Sequence, residues 1–151
     1  MINKIYLDTS VISALFDERT PERKFATEQA WLKLNDKEIS GVYISELVLE
    51  ELQRTAEPLK NSLLSAVSNF NVLPATEDAK RLAGIYIKHG IFPEKYFDDA
   101  LHVAIAALNE IGILLSWNFT HLVKLKTRRM VSLVNAMESV FPVEIVSPPE
   151  I

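Results

Sequence analysis

Five short apolar runs, near residues 3–7, 41–44, 71–73, 112–116 and 143–146, are separated by stretches with helical spacing, and this alternation constrains the fold more than any other feature. Parallel neighbours need a long crossover, and a helix usually fills it, so the pattern predicts a mainly parallel sheet. Helices are expected over Ser10 to Phe16, Glu22 to Leu34, Glu46 to Thr55, Leu59 to Asn69, Glu77 to Lys88, Asp98 to Glu110 and Thr127 to Val140. A parallel sheet is covered on both faces, which makes the expected architecture an α/β three-layer sandwich. With 151 residues, 48% of them hydrophobic, the chain supplies a sizeable core for one domain spanning 1–151 and little room for a second. No repeat, low-complexity tract or Gly/Ser linker interrupts it, and Ser147-Pro148-Pro149 reads as a terminus leaving the last strand.

Charge and composition exclude several classes. Sixteen Lys and Arg face twenty Asp and Glu, a formal charge of −4, so a polyanionic partner must be held by local charge and not by the bulk field. The absence of cysteine removes both a disulfide framework and a thiolate zinc site and is compatible with a cytoplasmic location. Three histidines give little basis for a His-rich metal centre. The N-terminal residues enter a strand pattern directly, without the apolar core and cleavage site of a signal peptide. His102, Asn109, Glu110 and Gly112 break the most apolar stretch, Ala100 to Leu115, so no membrane span is expected.

Four oxygen-bearing side chains, Asp8, Glu51, Asp99 and Asn118, fall where a predicted strand ends or within the opening turns of a predicted helix. In open α/β sheets ligands bind beyond the carboxyl ends of parallel strands, so these positions suggest one metal site built from distant segments. Taken singly, most have ordinary explanations. Asp8 suits the N-cap of the first helix, Asn118 suits a turn, and periodicity does not choose between Asp98 and Asp99, both placed on the polar side of their helix with His102. Glu51 is different. Leu47, Val48, Leu52 and Thr55 form a helical stripe that includes Glu51, whereas Glu46 and Glu50 lie opposite. An inward carboxylate needs a cation, a metal or a raised pKa.

The segments Ile5-Tyr6-Leu7-Asp8-Thr9-Ser10, Ile44-Ser45 through Glu50-Glu51-Leu52, Asp99-Ala100-Leu101-His102-Val103-Ala104 and Ser116-Trp117-Asn118-Phe119 resemble, in order and spacing, those of the PIN-domain ribonucleases, and in particular the VapC-type toxins of bacterial toxin–antitoxin pairs. The resemblance covers essentially the whole chain. It implies a PIN-like three-layer sandwich and assigns the family's first acid to Asp8, its helix glutamate to Glu51 and its third acid to Asp99, leaving Asp98 as a neighbour. The fourth position, usually Asp, is Asn118 here, which weakens the negative field. Thr9 matches the small polar residue that follows the first acid. An RNA substrate, a cognate antitoxin and a homodimer are implied as partners.

Hard oxygen donors favour Mg²⁺ or Mn²⁺, which Asp8, Asp99 and Glu51 would bind. Two carboxylates about 4 Å apart repel by roughly 4 kcal/mol at an effective dielectric of about 20, a penalty a dication removes. Lys124, Lys126, Arg128 and Arg129 follow Asn118 closely and are candidates to guide phosphate, although a solvated helix face accounts for them equally well. Trp117 and Phe119 are better read as anchors of the strand end than as base-stacking groups, and His102 and His121 as structural histidines. A haloacid-dehalogenase-like phosphatase needs a second Asp where Ser10 stands, and no G-x-x-x-x-G-K-[ST] run supports a P-loop nucleotide binder. The reading that competes with a metal-dependent ribonuclease is a degenerate PIN domain that binds RNA or protein without cleaving.

Overall fold

The computed structural model describes residues 3–151. Five strands, β1 (Asn3–Leu7), β2 (Ile39–Ser45), β3 (Asn71–Leu73), β4 (Ile113–Leu115) and β5 (Glu144–Val146), form one sheet in the order β3-β2-β1-β4-β5. Every pairing is parallel, where the sequence predicted a mainly parallel sheet. All five predicted strands are present, with β2 longer than expected at both ends.

Seven α-helices connect them: α1 (Thr9–Ala14), α2 (Pro21–Lys33), α3 (Glu46–Gln53), α4 (Leu59–Ala66), α5 (Glu77–Lys88), α6 (Phe97–Leu108) and α7 (Leu125–Met137). Their starts follow local chemistry. The side chains of Asp8, Ser45 and Thr76 accept backbone N–H bonds from Val11, Val48 and Ala79, capping α1, α3 and α5. Beyond α5, Gly90 takes φ 75°, a backbone state that favours glycine, and its N–H returns to the Ile87 carbonyl. The predicted last helix begins and ends two to three residues too late, because Lys124, which carries no capping side-chain bond, leads into α7.

The strand order places the helices. From β1 the chain steps outward through β2 to β3, then crosses back to β4 and β5 on the other side. Right-handed crossovers running in opposite directions across a sheet put their helices on opposite faces. Accordingly α1 packs with α2, α3 and α4, while α5 packs on α6. Tyr86 of α5 donates its hydroxyl to Asn135 of α7, and Asn135 donates to the Phe141 carbonyl, tying α7 to that second layer. The helix α6 is buried continuously from Ala100 to Ala107, and its core contains Tyr6, Leu7, Val48, Ala83, Tyr86 and Leu114. No described helix is long and apolar enough to cross a membrane.

Candidate active site

The strand order reverses between β1 and β4, and the carboxyl ends of these two neighbours open the crevice where α/β proteins place ligands. Leu7 pairs with Leu115, and the Asp8 N–H donates to the Leu115 carbonyl at 3.2 Å, so Asp8 and Ser116 emerge side by side. Asp8 is buried, 4% exposed. It is both a cap and an acid of the crevice: Ser10 Oγ donates to its Oδ1 at 2.6 Å and Val11 N–H donates to the same oxygen at 3.2 Å. Oδ2 retains capacity for a cation. Burial pushes the Asp8 carboxyl above its ordinary range, against the opposing pull of His102 and these hydrogen bonds. Ser10 also accepts the Trp117 N–H at 2.8 Å, stitching the loop after β1 to the loop after β4.

Of the three acids in α3, Glu51 is the one half-buried and turned to the crevice, while Glu46 and Glu50 are exposed. Glu46 accepts the Ala75 N–H instead. Thr9 Oγ1 donates to Glu51 Oε1 at 2.7 Å, and His102 Nε2 lies 2.9 Å from the same oxygen. The other ring nitrogen, Nδ1, is 2.7 Å from the Tyr6 hydroxyl, which is 2.7 Å from Ser45 Oγ. Four elements, β1, the end of β2, α3 and α6, are thereby joined through one chain of polar groups. Desolvation raises the Glu51 carboxyl, but the hydrogen bond and charge of His102, with Thr9 and Arg54, outweigh it and hold the group below its usual value. Burial opposes charging the His102 ring, yet Glu51 first and then Asp8 and Asp99 carry its pKa above 6.5.

Asp99 occupies the first turn of α6, half-buried, whereas Asp98 is exposed. The choice that periodicity left open is thus made by burial. Desolvation raises the Asp99 carboxyl, and Asp8 and Glu51 push in the same direction against the pull of His102 and His121. Asp8, Glu51 and Asp99 all lie within reach of the His102 charge, which groups the three sequence-selected acids around one buried histidine. His102 does not share an exposed polar side with Asp98: it is 3% exposed, and α6 is polar only where it borders the crevice.

The remaining selected residues divide. Asn118 Oδ1 accepts the His121 N–H at 2.9 Å, and its carbonyl accepts from Leu122 and Val123, so the turn reading describes what the side chain does. Trp117 is buried and donates Nε1–H to Thr27, as an anchor should, while Phe119 is exposed. Lys124, Lys126 and Arg129 are exposed. Arg128 is half-buried and partly engaged: Nη1 donates to the Ile145 carbonyl at 3.4 Å and lies 3.9 Å from Glu150. Its guanidinium serves the open edge of β5.

The structural role expected of His102 holds, since both of its ring nitrogens have partners, but sequence reasoning did not identify those partners or the part Tyr6 takes. A signal for His102 existed: beyond Asp99 it is the one polar residue of α6, three residues on and therefore on the same face. A buried imidazole must find partners. Tyr6 looked like any core aromatic of a central strand.

Among the described residues no three His, Cys, Asp or Glu side chains converge tightly enough to form a ready-made metal cage. The donor chemistry nevertheless fits a hard dication. Both nitrogens of His102 are committed to Glu51 and Tyr6, which leaves oxygen donors alone, and the raised carboxyls of Asp8 and Asp99 are those a cation would relieve.

The PIN domain family model matches residues 5–117. Among solved structures, VapC20 of Mycobacterium tuberculosis, a sarcin-ricin loop cleaving toxin, aligns with a TM-score of 0.55 at 21% identity over 73% of this chain and 86% of that one. VapBC-1 of nontypeable Haemophilus influenzae gives 0.59 at 18% identity over 98% of each chain. VapBC2 of Rickettsia felis, bound to a DNA fragment from its promoter, gives 0.57 at 13% identity over 97% of this chain and 98% of that one. At such identities the likeness is one of fold.

Proposed function

The chain belongs to the PIN domain family, and from that premise we propose that it is a divalent-metal-dependent ribonuclease, the toxin of a toxin–antitoxin pair acting in the cytoplasm. The observation that carries this reading is the placement of Asp8, Glu51 and Asp99 around the switch point, where burial pushes the Asp8 and Asp99 carboxyls up and a bound cation would offset that cost. Asp8 and Asp99 would hold Mg²⁺ or Mn²⁺. When bound, that ion neutralises charge on the phosphodiester and lowers the pKa of a water molecule.

The protein's own groups do the rest. Ser10 and the α1 backbone fix the Asp8 carboxylate, so its free oxygen is presented without rotamer loss. Thr9 and His102 clamp Oε1 of Glu51, leaving Oε2 to orient the attacking water as a hydrogen-bond acceptor. Asn118 and Ser116 hold the loop after β4 against Ser10, which closes the crevice on the β4 side. Exposed Lys124, Lys126 and Arg129 supply local positive charge for the RNA backbone on an otherwise acidic protein.

Purified protein incubated with single-stranded and structured RNA is expected to cut in Mg²⁺ or Mn²⁺ and to stop on chelation. Equal cutting in EDTA defeats the assignment. Asn118 in the fourth acidic place favours a second reading, a PIN domain that binds RNA or protein without cleaving; metal-independent binding with no turnover would select it.

Several solved relatives are VapBC proteins of toxin–antitoxin systems, and this supports a cognate antitoxin here as well. A groove of about 320 Å³ between α1 and α4, lined by Phe16, Leu59 and Leu63 with Asp17 and Arg19 at its rim, has the apolar floor such a partner's segment needs. A small open reading frame beside this one is the expected genetic companion. Leu133 and Met137, one turn apart and exposed on α7, favour self-association as a homodimer, which sedimentation would test.

A further inference from the structure

The loop after β4 does more than close the crevice. Asn118 Oδ1 holds the His121 N–H and Thr127 Oγ1 donates to the His121 carbonyl, each at 2.9 Å, so both backbone polar groups of one residue are clamped by side chains. This clamp sets the imidazole on the ring of Tyr96, with centroids 4.0 Å apart and planes inclined by 36°. Tyr96 ends the 3₁₀ turn Glu94–Tyr96 that feeds directly into α6, three residues before Asp99. Lys95 places its ammonium 5.2 Å from the Tyr96 ring centroid. His121 and Tyr96 are half-buried and Lys95 is exposed. An aromatic pair with a cation over its Tyr96 ring thus stands in the turn that leads into Asp99, with the outer face of His121 left to solvent contact.

We propose that Lys95, Tyr96 and His121 form a nucleotide subsite next to Asp99, which takes one unpaired ribonucleotide adjoining the scissile phosphate. Single strands are held by stacking of bases on aromatic faces combined with cations that follow the backbone. The pair His121 and Tyr96 offers the π-surface, and Lys95 with the ring N–H of His121 offers the donors. A base buried inside a duplex cannot reach such a shelf, so the subsite selects unpaired RNA.

This inference rests on the ribonuclease reading, and the test separates the two. Binding of a short fluorescein-labelled oligoadenylate, alone and paired with its complement, is read by anisotropy in EDTA, while cleavage is read separately in Mn²⁺. Wild-type protein is expected to prefer the single strand. His121→Ala and Tyr96→Ala should weaken single-strand binding by about tenfold each, the loss of one stacking surface, and leave duplex binding unchanged. His121→Tyr should restore most of the affinity because it keeps a ring in place. A second measurement avoids altered folding: bromouridine-substituted RNA irradiated on wild-type protein should attach to the peptide containing Tyr96 or His121. Normal single-strand affinity in both alanine variants, or attachment confined to other peptides, overturns the subsite and leaves the nuclease standing. Wild-type protein that neither binds nor cuts RNA overturns both.

Discussion

Glu51 and Asp99 face the same centre, yet the fold treats them oppositely. Glu51 meets two donors on one oxygen, and its carboxyl is held down. Asp99, equally half-buried, is desolvated and repelled by its acidic neighbours, and its carboxyl is pushed up. The difference teaches that one half of this site is wired within the protein, Glu51 being held by fixed donors, while the other half, Asp99, is left electrostatically unsatisfied by the protein alone.

The sharpest way to break that contrast is to neutralise the unsatisfied half. Asp99→Asn, like Asp8→Asn, should cut Mn²⁺-dependent turnover by about a thousandfold, on the order of the several kcal/mol a metal contributes to such a transition state. In EDTA the Asp99→Asn protein should melt above wild type, because repulsion is removed and no hydrogen bond is lost. A lower melting temperature would show that Asp99 is already satisfied.

Glu51→Gln should go the other way. Turnover is expected to fall by about a hundredfold, and stability by about 1–3 kcal/mol in chemical unfolding, because a buried hydrogen-bonded charge is lost beside His102. Glu50→Gln and Glu46→Gln should leave turnover near wild type; equal losses at all three would sink the assignment of Glu51 to the crevice.

The wired half also has a pH signature. His102 has a folded pKa above its ordinary 6.5, so the stability it confers is fully present below 6.5 and is lost as pH rises through the folded value. Burial raises Asp8 and Asp99 from 3.8, and His102 lowers Glu51 from 4.5, so of the four only the histidine starts from the neutral range. Melts in EDTA should therefore decline above pH 6.5 in wild type and stay flatter in His102→Gln. Parallel curves for the two proteins would remove His102 from the account.

The smallest effect is expected at Asn118→Asp. A carboxylate still accepts the His121 N–H, so the turn should survive with a change below about 1 kcal/mol in EDTA. The added charge should enlarge the melting shift produced by saturating Mn²⁺. An unchanged shift would place Asn118 beyond the electrostatic reach of the metal and leave it as the seat of His121.

Strand and helix placement was legible because period and punctuation are local properties, and the helix Glu77 to Lys88 has the bounds its pattern suggested. Glu51 was legible for the same reason: helical phase decides which acid faces the core. The partners of Glu51 were not. His102 is 51 residues away in sequence and Tyr6 lies 96 residues from His102, and no local pattern reports the register between α6 and β1. The contacts of Arg128 were hidden for a related reason: its neighbours in sequence are exposed cations, but its guanidinium reaches the edge of a strand that follows it. Asn118 makes the turn contact its residue type suggested, through the His121 N–H.

The position of β1 between β2 and β4 has a consequence for the timing of synthesis. β1 is the central strand and is made before its partners in the sheet, but its neighbour on the crevice side is built from residues 113–115, and the loop that stitches onto Ser10 follows that strand. A nascent chain that stops short of this loop has Asp8, Glu51 and Asp99 in hand and no second wall to hold them against. The crevice is therefore walled on both sides only once residues 113–117 have been added, more than 100 residues after Asp8.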